Sequence, residues 1–164
     1  MLFGCDEGLA PKKVTEKSFL TGTIVYVGGK DAWPTDSVIA VRVASFINYP
    51  FTDSLGIINE ILNGNAYFTV ESLPLFVDST NFSIEITKPP VLLKYIAVAR
   101  QLDSNIASQQ VIGVYTLSGD KTKPSTLLIE EGKTYNIRIE VDYKNLPPQP
   151  GDSTRFQWSG NGGK

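Results

Sequence analysis

The 164-residue chain is 41% hydrophobic and 20% charged, with a formal net charge of −2, one cysteine and no histidine. This composition is typical of a globular protein long enough to bury its own core, and it excludes a disordered chain. Without histidine there is no Ser-His-Asp or Cys-His nucleophile system and no histidine zinc ligand, and without basic runs no nucleic acid is expected as a partner.

The N-terminal residues hold the only cysteine, placed after a short apolar run and a glycine. The order Leu2-Phe3-Gly4-Cys5 resembles the lipobox of bacterial lipoproteins, in which a small residue precedes the cysteine that is lipidated. The resemblance implies that Cys5 is a lipid anchor to a membrane and that the protein lies in the cell envelope outside the cytoplasm, in the periplasm or at the cell surface. The alternative is an ordinary N-terminal cysteine.

A polar segment from Asp6 to Lys17 follows Cys5 and is rich in Lys and Glu, with a Gly and a Pro. Such a segment buries no apolar face, which predicts a solvated tether. A complete lipoprotein signal has a basic region and an apolar region of roughly 7–15 residues. We therefore interpret residues 1–17 as the remnant of a truncated lipoprotein signal followed by a polar tether.

From residue 18 onward, apolar and polar residues alternate with a period of two, and Gly, Pro, Asn and Asp separate the runs, which predicts short strands. The predicted strands are Ser18–Val27, Ser37–Phe46, Tyr67–Val70, Phe82–Thr87, Leu92–Arg100, Val111–Leu117 and Thr134–Tyr143. About seven strands predict an all-β domain over residues 18–145, a two-sheet antiparallel sandwich of the immunoglobulin-like or transthyretin-like kind. Its predicted core is Ile24, Val41, Val43, Ile96, Val98, Val114, Ile137 and Ile139.

One segment departs from the strand pattern and predicts a helix from Ser54 to Leu62. Its apolar residues recur at helical spacing, with Asp53 or Ser54 as the N-cap and Asn63-Gly64 as the stop. We expect a short crossover helix over one end of the sandwich, and the alternative is a lid over a site. The apolar residues that would face the core are Leu55, Ile58, Ile61 and Leu62.

The chain changes composition again after the last predicted strand. Three prolines, Pro147, Pro148 and Pro150, cannot continue a central strand. The residues beyond them are rich in Gly, Ser and Asn, with isolated Phe156 and Trp158. We interpret residues 146–164 as an exposed Pro/Gly-rich tail, which could add a strand to a neighbouring copy and so mediate self-association.

Three predicted strands share a pattern with a known family. They contain Thr21-Gly22-Thr23-Ile24, Val41-Arg42-Val43-Ala44-Ser45-Phe46 and Leu93-Lys94-Tyr95-Ile96-Ala97-Val98-Ala99. This pattern resembles the transthyretin-like, carboxypeptidase-regulatory type of β-sandwich. The resemblance implies a structural or recognition module of a cell-envelope protein. Lys88-Pro89-Pro90 departs from the family, which usually has a Pro-Gly-Thr type of turn there.

Trp33 is a candidate ligand-binding residue, together with the tyrosines Tyr49 and Tyr67. The flat apolar face and single N–H of an exposed tryptophan suit stacking on sugars, so a glycan is a candidate ligand. The alternative is that Trp33-Pro34 fills one end of the sandwich.

The carboxylates form no convincing site for a metal or for catalysis. The loop from Asp78 to Asn81 lacks the alternating carboxylates and the glycine of a dedicated calcium loop, so a plain turn is expected. Glu130 and Glu131 are adjacent and would point to opposite faces, which argues against a cooperating acid and base. No metal, cofactor or catalytic residue is therefore predicted.

Three classes of function remain. The first is a non-catalytic cell-envelope lipoprotein domain for protein interaction or extracellular assembly, which these observations favour. The alternative is a carbohydrate-binding module using Trp33, Tyr49 and Tyr67. The third is an enzyme using paired carboxylates or a Ser-Lys pair, which would need a deep polar cleft lined by two facing carboxylates.

Overall fold

The computed structural model describes residues 16–36, 38–105 and 108–151. The predicted lipid anchor Cys5 and the aromatic residues Phe156 and Trp158 lie outside these residues. In chain order the elements are β1 (Ser18–Tyr26), a 3₁₀ helix (Gly29–Ala32), β2 (Ala40–Phe46), α1 (Ser54–Leu62), β3 (Ala66–Phe68), β4 (Ser79–Ile86), β5 (Val91–Leu93), β6 (Tyr95–Gln101), β7 (Gln109–Val114), β8 (Leu127–Ile129) and β9 (Thr134–Val141).

The strands form a three-stranded sheet of order β4-β1-β9, a four-stranded sheet of order β3-β2-β6-β7, and a small sheet of β5 and β8. The predicted all-β sandwich with a crossover helix is therefore confirmed, with nine strands rather than about seven. The predicted strand at Leu92–Arg100 is divided at Lys94, and the three-residue β8 is too short to show a period. One pair, β1 with β9, is parallel, and its two strands lie at opposite ends of the described sandwich in chain order.

The main core lies between the two larger sheets. Leu20 and Ile24 of β1 face Val41 and Val43 of β2, and all four are fully buried. All eight residues predicted for the core are buried. Seven of them lie in the main core, whereas Val114 lies in a second apolar cluster.

The second cluster lies on the outer face of the four-stranded sheet. Alternate residues of a strand point to opposite faces, so Phe46 and Ala97 point away from the main core, to which Val43 and Val98 contribute. The chain between β2 and β3 covers this outer face with Tyr49, Phe51 and Ile57. Helix α1 therefore packs on a face of the sheet and not over an end of the sandwich, because the outward apolar residues of β2, β6 and β7 need cover.

Local signals set the bounds of α1 as predicted. The Asp53 side chain accepts a hydrogen bond from the Gly56 amide at 2.8 Å and caps the first turn. At the other end Gly64 has a φ of 72°, and the Asn65 amide donates to the Glu60 carbonyl at 2.9 Å, which closes a Schellman motif. The buried face of α1 is not the predicted one. Leu55 and Leu62 are exposed, and Ile57 instead packs against the second apolar cluster.

Gly22, in the central strand of the three-stranded sheet, allows a close approach of its neighbours. It pairs with Phe82 of β4 and Ile137 of β9. A Cβ atom at Gly22 would lie 2.7 Å from the Phe82 ring and would collide with the Ile137 carbonyl oxygen. The glycine of the opening-strand motif therefore lets an aromatic ring lie over the backbone.

Candidate functional site

Trp33, the principal candidate from the sequence, is part of the core. It is 6% exposed, and its indole N–H donates to the Val77 carbonyl at 3.0 Å. Its ring packs on Tyr26, Phe76 and Tyr143, with centroids 4.5, 5.3 and 5.5 Å away. The ring therefore presents no open face on which a sugar could stack.

The two candidate tyrosines lie on different sides of the four-stranded sheet. Tyr67 of β3 is 8% exposed and belongs to the main core, as Trp33 does. Tyr49 is half-buried in the outer cluster, and its ring stacks on Tyr95 with centroids 4.6 Å apart and an interplanar angle of 6°. The structure therefore does not bring the three candidates to one surface.

A buried arginine, which the sequence patterns did not single out, connects three parts of the fold. Arg100 of β6 is 7% exposed, its Nε donates to Gln110 Oε1 at 2.8 Å, and its two terminal nitrogens donate to the Asp36 carboxylate at 3.4 Å. The guanidinium also lies 5.6 Å from the Tyr143 ring centroid. Burial raises the pKa of Tyr143 to about 12. The guanidinium nitrogens bond to Gln110 and Asp36, so Arg100 ties these elements together, whereas the buried Tyr143 hydroxyl makes no hydrogen bond within the described residues.

The carboxylates considered for metal binding or catalysis have structural partners. Asp78 accepts a hydrogen bond from the Lys30 amide at 2.8 Å. Glu130 accepts from Lys133 Nζ at 2.6 Å and from the Tyr135 hydroxyl at 2.9 Å, and these bonds hold the pKa of Glu130 below its ordinary value. Within residues 16–36, 38–105 and 108–151, no group of three or more His, Cys, Asp or Glu is placed to hold a metal ion.

An apolar groove lies between α1 and the outer face of the four-stranded sheet, and we refer to it as the α1 groove. Its volume is about 440 Å³, within the range of ligand sites in proteins. Three small residues of β2 and β6 lie beneath it, Ala44, Ala97 and Ala99, and α1 forms one wall. Because alanine side chains are short, they leave space above the sheet that the larger residues around them do not fill.

Aromatic and aliphatic side chains surround this space, and none of the residues that line it is charged. The lining residues besides the three alanines are Phe46, Phe51, Ile57, Ile58, Ile61, Leu62, Tyr95, Gln109, Val111, Gln149, Pro150 and Gly151. Leu62 is 77% exposed at the end of α1. Burial raises the pKa of the Tyr95 hydroxyl above its ordinary value, and the neighbouring Tyr49 raises it further. The groove therefore offers contact area for apolar groups and lacks charged groups for chemistry.

The far rim of the groove is built by the chain that follows β9. The Gln149 side chain accepts a hydrogen bond from the Val111 amide at 2.8 Å and donates to the Val111 carbonyl at 3.0 Å. Strand β7 is the edge of its sheet, so this amide satisfies backbone groups that lack a neighbouring strand. Residues 146–151 of the predicted exposed tail thus lie against the domain, with Leu146 packed on the main core.

One signal in the sequence could have indicated this outer surface. In β6, Tyr95 and Ala97 alternate with Ile96 and Val98, so both faces of the strand are apolar. Such continuous apolar runs are typical of strands that are covered on both sides. The bond between Gln149 and Val111 has no comparable signal, because it joins residues 38 positions apart.

The comparisons add no relative from which a function could be transferred. The chain matches no protein-family model, and no curated protein or solved structure is significantly similar to it. Among the described residues, no helix has the length and apolar character needed to cross a membrane. The described residues form an all-β sandwich with an apolar groove on the outer face of one sheet.

We predict that Trp33→Ala lowers the free energy of unfolding by about 3–5 kcal/mol, because it removes a large buried ring and leaves a cavity. Urea unfolding monitored by circular dichroism measures this change. Val70→Ala is the matched control, since Val70 is 83% exposed and should change stability by no more than about 0.5 kcal/mol. Equal stabilities of the two variants would contradict the buried position of Trp33.

Proposed function

We propose that this protein is a non-catalytic, lipid-anchored domain of the bacterial cell envelope that binds other proteins through the α1 groove. The observation that carries the proposal is the uncharged, apolar lining of a groove of about 440 Å³ between α1 and the outer face of the four-stranded sheet. Its ligand would be a peptide segment that inserts aliphatic or aromatic side chains.

The lining suits a protein segment better than a sugar. Protein interfaces gain most of their energy from a few apolar and aromatic side chains that are fully buried in pockets. In the groove, Phe51 and Tyr95 provide aromatic surface and Ile58 and Leu62 provide aliphatic surface. The carbohydrate-binding alternative lacks comparable support, because the rings of Trp33 and Tyr67 are covered within the core.

The distribution of ionisable groups supports a binding role rather than catalysis. A catalytic acid or base is expected in a cleft, with its pKa shifted by burial or by a neighbouring charge. Glu130, whose pKa is lowered, lies in an exposed ion pair with Lys133 and does not line the groove. Tyr95 lines it, but its raised pKa keeps the hydroxyl protonated near neutral pH.

The proposed anchor is Cys5, on the strength of its lipobox-like context. Lys17, which directly follows the first described residue, Glu16, is already joined to the sandwich by an ion pair with Glu85 of β4 at 3.1 Å. A coil of about 12 residues, the length of the predicted tether from Asp6 to Lys17, would span on the order of 20 Å, from about 5–6 Å × √n for n residues. That distance would keep the domain close to the membrane and free to reorient toward envelope proteins.

We predict that the protein, expressed in bacteria behind a complete lipoprotein signal peptide, fractionates with membranes, whereas Cys5→Ala does not. Stable anchoring takes more than one acyl chain, and a lipobox cysteine would carry them. Immunoblots of membrane and non-membrane fractions, with metabolic labelling by a palmitate analogue, measure the difference. Labelling of the Cys5→Ala variant, or its unchanged retention in the membrane fraction, would contradict the anchor.

A second prediction concerns the groove. A photoreactive benzoylphenylalanine at Leu62, on the groove, should form covalent adducts with other proteins in intact cells, whereas the same group at Leu128 should not. Leu128 is a matched control because it is an exposed leucine, 51% exposed, that does not line the groove. Ala97→Trp, which fills the groove from beneath, should reduce the Leu62 adducts at least ten-fold.

Immunoblots after irradiation measure these adducts. Equal yields from Leu62 and Leu128, or adducts at Leu62 with phospholipid alone, would contradict a protein-binding groove.

A further inference from the structure

The last described residues, Pro150 and Gly151, line the α1 groove. The segment that follows them in the chain is therefore a candidate to occupy it. We infer that residues 152–164 of this chain dock in the groove of the same molecule, with Phe156 and Trp158 as the inserted side chains. This inference rests on the proposed function, since it concerns the same groove, and it names a resident ligand with which any partner segment must compete.

The path of the chain is the first argument. Gln149 is fixed to the edge strand β7 by two hydrogen bonds to Val111, at 2.8 and 3.0 Å. The next two residues, Pro150 and Gly151, line the groove. The described part of the chain therefore ends at the groove rim.

The reach of the chain is the second argument. Phe156 is five residues and Trp158 seven residues beyond Gly151. An extended chain covers about 3.3 Å per residue, so the two rings reach up to roughly 16 and 23 Å from the rim. The nine-residue helix α1 is about 14 Å long at 1.5 Å per residue, so the reach of either ring exceeds the length of this wall.

The chemistry of the segment is the third argument. Phe156 and Trp158 are separated by one residue, so both rings point to the same side when the segment is extended. Residues 156–163, Phe-Gln-Trp-Ser-Gly-Asn-Gly-Gly, carry no charge, as the groove lining carries none. The match is between two aromatic anchors and an uncharged apolar groove. The charged residues of the segment, Asp152, Arg155 and Lys164, flank its uncharged stretch and would stay in water at the rim, because a charge that is buried without a partner loses its hydration.

The covalent connection favours the segment of the same chain over that of a second copy. A short linker holds a tethered ligand at an effective concentration in the millimolar range, far above usual protein concentrations. A partner protein must therefore displace residues 152–164 before it enters the groove. The segment would act as a built-in competitor that sets the affinity threshold for partners.

Engineered cysteine pairs test the inference in the purified full chain. The background is Cys5→Ser, which removes the only native thiol. One variant combines Leu62→Cys on the groove with Gln157→Cys, between the two anchors. The matched control combines Leu128→Cys with Gln157→Cys. Under mild oxidation at low protein concentration, we expect the first pair to form an intramolecular disulfide at least ten-fold faster than the control.

Adding Phe156→Ser and Trp158→Ser to the first pair should lower its rate to that of the control, because the anchors are lost and the cysteines remain. Non-reducing electrophoresis separates intramolecular disulfides from covalent dimers. Dimers from the Leu62/Gln157 pair would overturn the inference in favour of a second copy, and equal rates for the two pairs, or rates unaffected by the anchor substitutions, would overturn docking. The cross-links to other proteins in cells test the proposed function separately, so either can fail alone.

Discussion

The four-stranded sheet carries apolar side chains on both faces, and each face must be covered to remove them from water. On the inner face, Val43 and Val98 pack against the three-stranded sheet. On the outer face, Phe46 and Ala97 belong to a cluster that, among the described residues, is covered by Tyr49, Phe51 and Ile57 rather than by a strand. Burial of apolar surface contributes about 25 cal/mol per Å², so leaving the outer face open would forfeit a large part of the stabilisation that the sheet can supply.

The chain between β2 and β3 covers part of the outer face of the four-stranded sheet. The α1 groove is the part of this face that the chain leaves open. The Phe51 ring lies edge-on to Phe46 and Tyr95, at 5.0 and 5.7 Å, and Ile57 of α1 packs beside them. These contacts fill the space over one part of the sheet. The short side chains of Ala44, Ala97 and Ala99 line the space that remains beneath the helix, and the other described residues around this space are uncharged.

The same constraint explains the position of the chain after β9. The edge of β7 would expose unpaired backbone groups beside the uncovered apolar face, which is a hazard for aggregation. The Gln149 amide pairs with both backbone groups of Val111, and Pro150 closes the rim of the groove. The proposed docking of residues 152–164 would join the protection of the edge and the control of binding in one segment.

Local sequence patterns were sufficient to predict several strands and the helix. The burial of single side chains and the position of the groove depend on contacts between residues far apart in the chain, which local patterns do not show. The period-two alternation of β1 and β9 and the cap and stop of α1 were sufficient to predict these elements with their ends within two residues. Trp33 packs against Tyr143, which is 110 residues away in the chain. The local sequence around Trp33 does not show this contact, so it could not distinguish a buried tryptophan from an exposed one. The groove could not be predicted because it depends on which face α1 covers, and Cys5 as a lipid anchor stays a prediction.

The most direct test of the central claim, that the outer face of the four-stranded sheet is completed by residues 152–164, is a nuclear Overhauser experiment on the full chain. With methyl-labelled alanine and valine, the account predicts cross-peaks from the Trp158 indole protons to the methyl groups of Ala97 and Val111, at positions independent of protein concentration. Sharp Trp158 signals at the chemical shifts of an unstructured peptide, without cross-peaks to either methyl group, would contradict it.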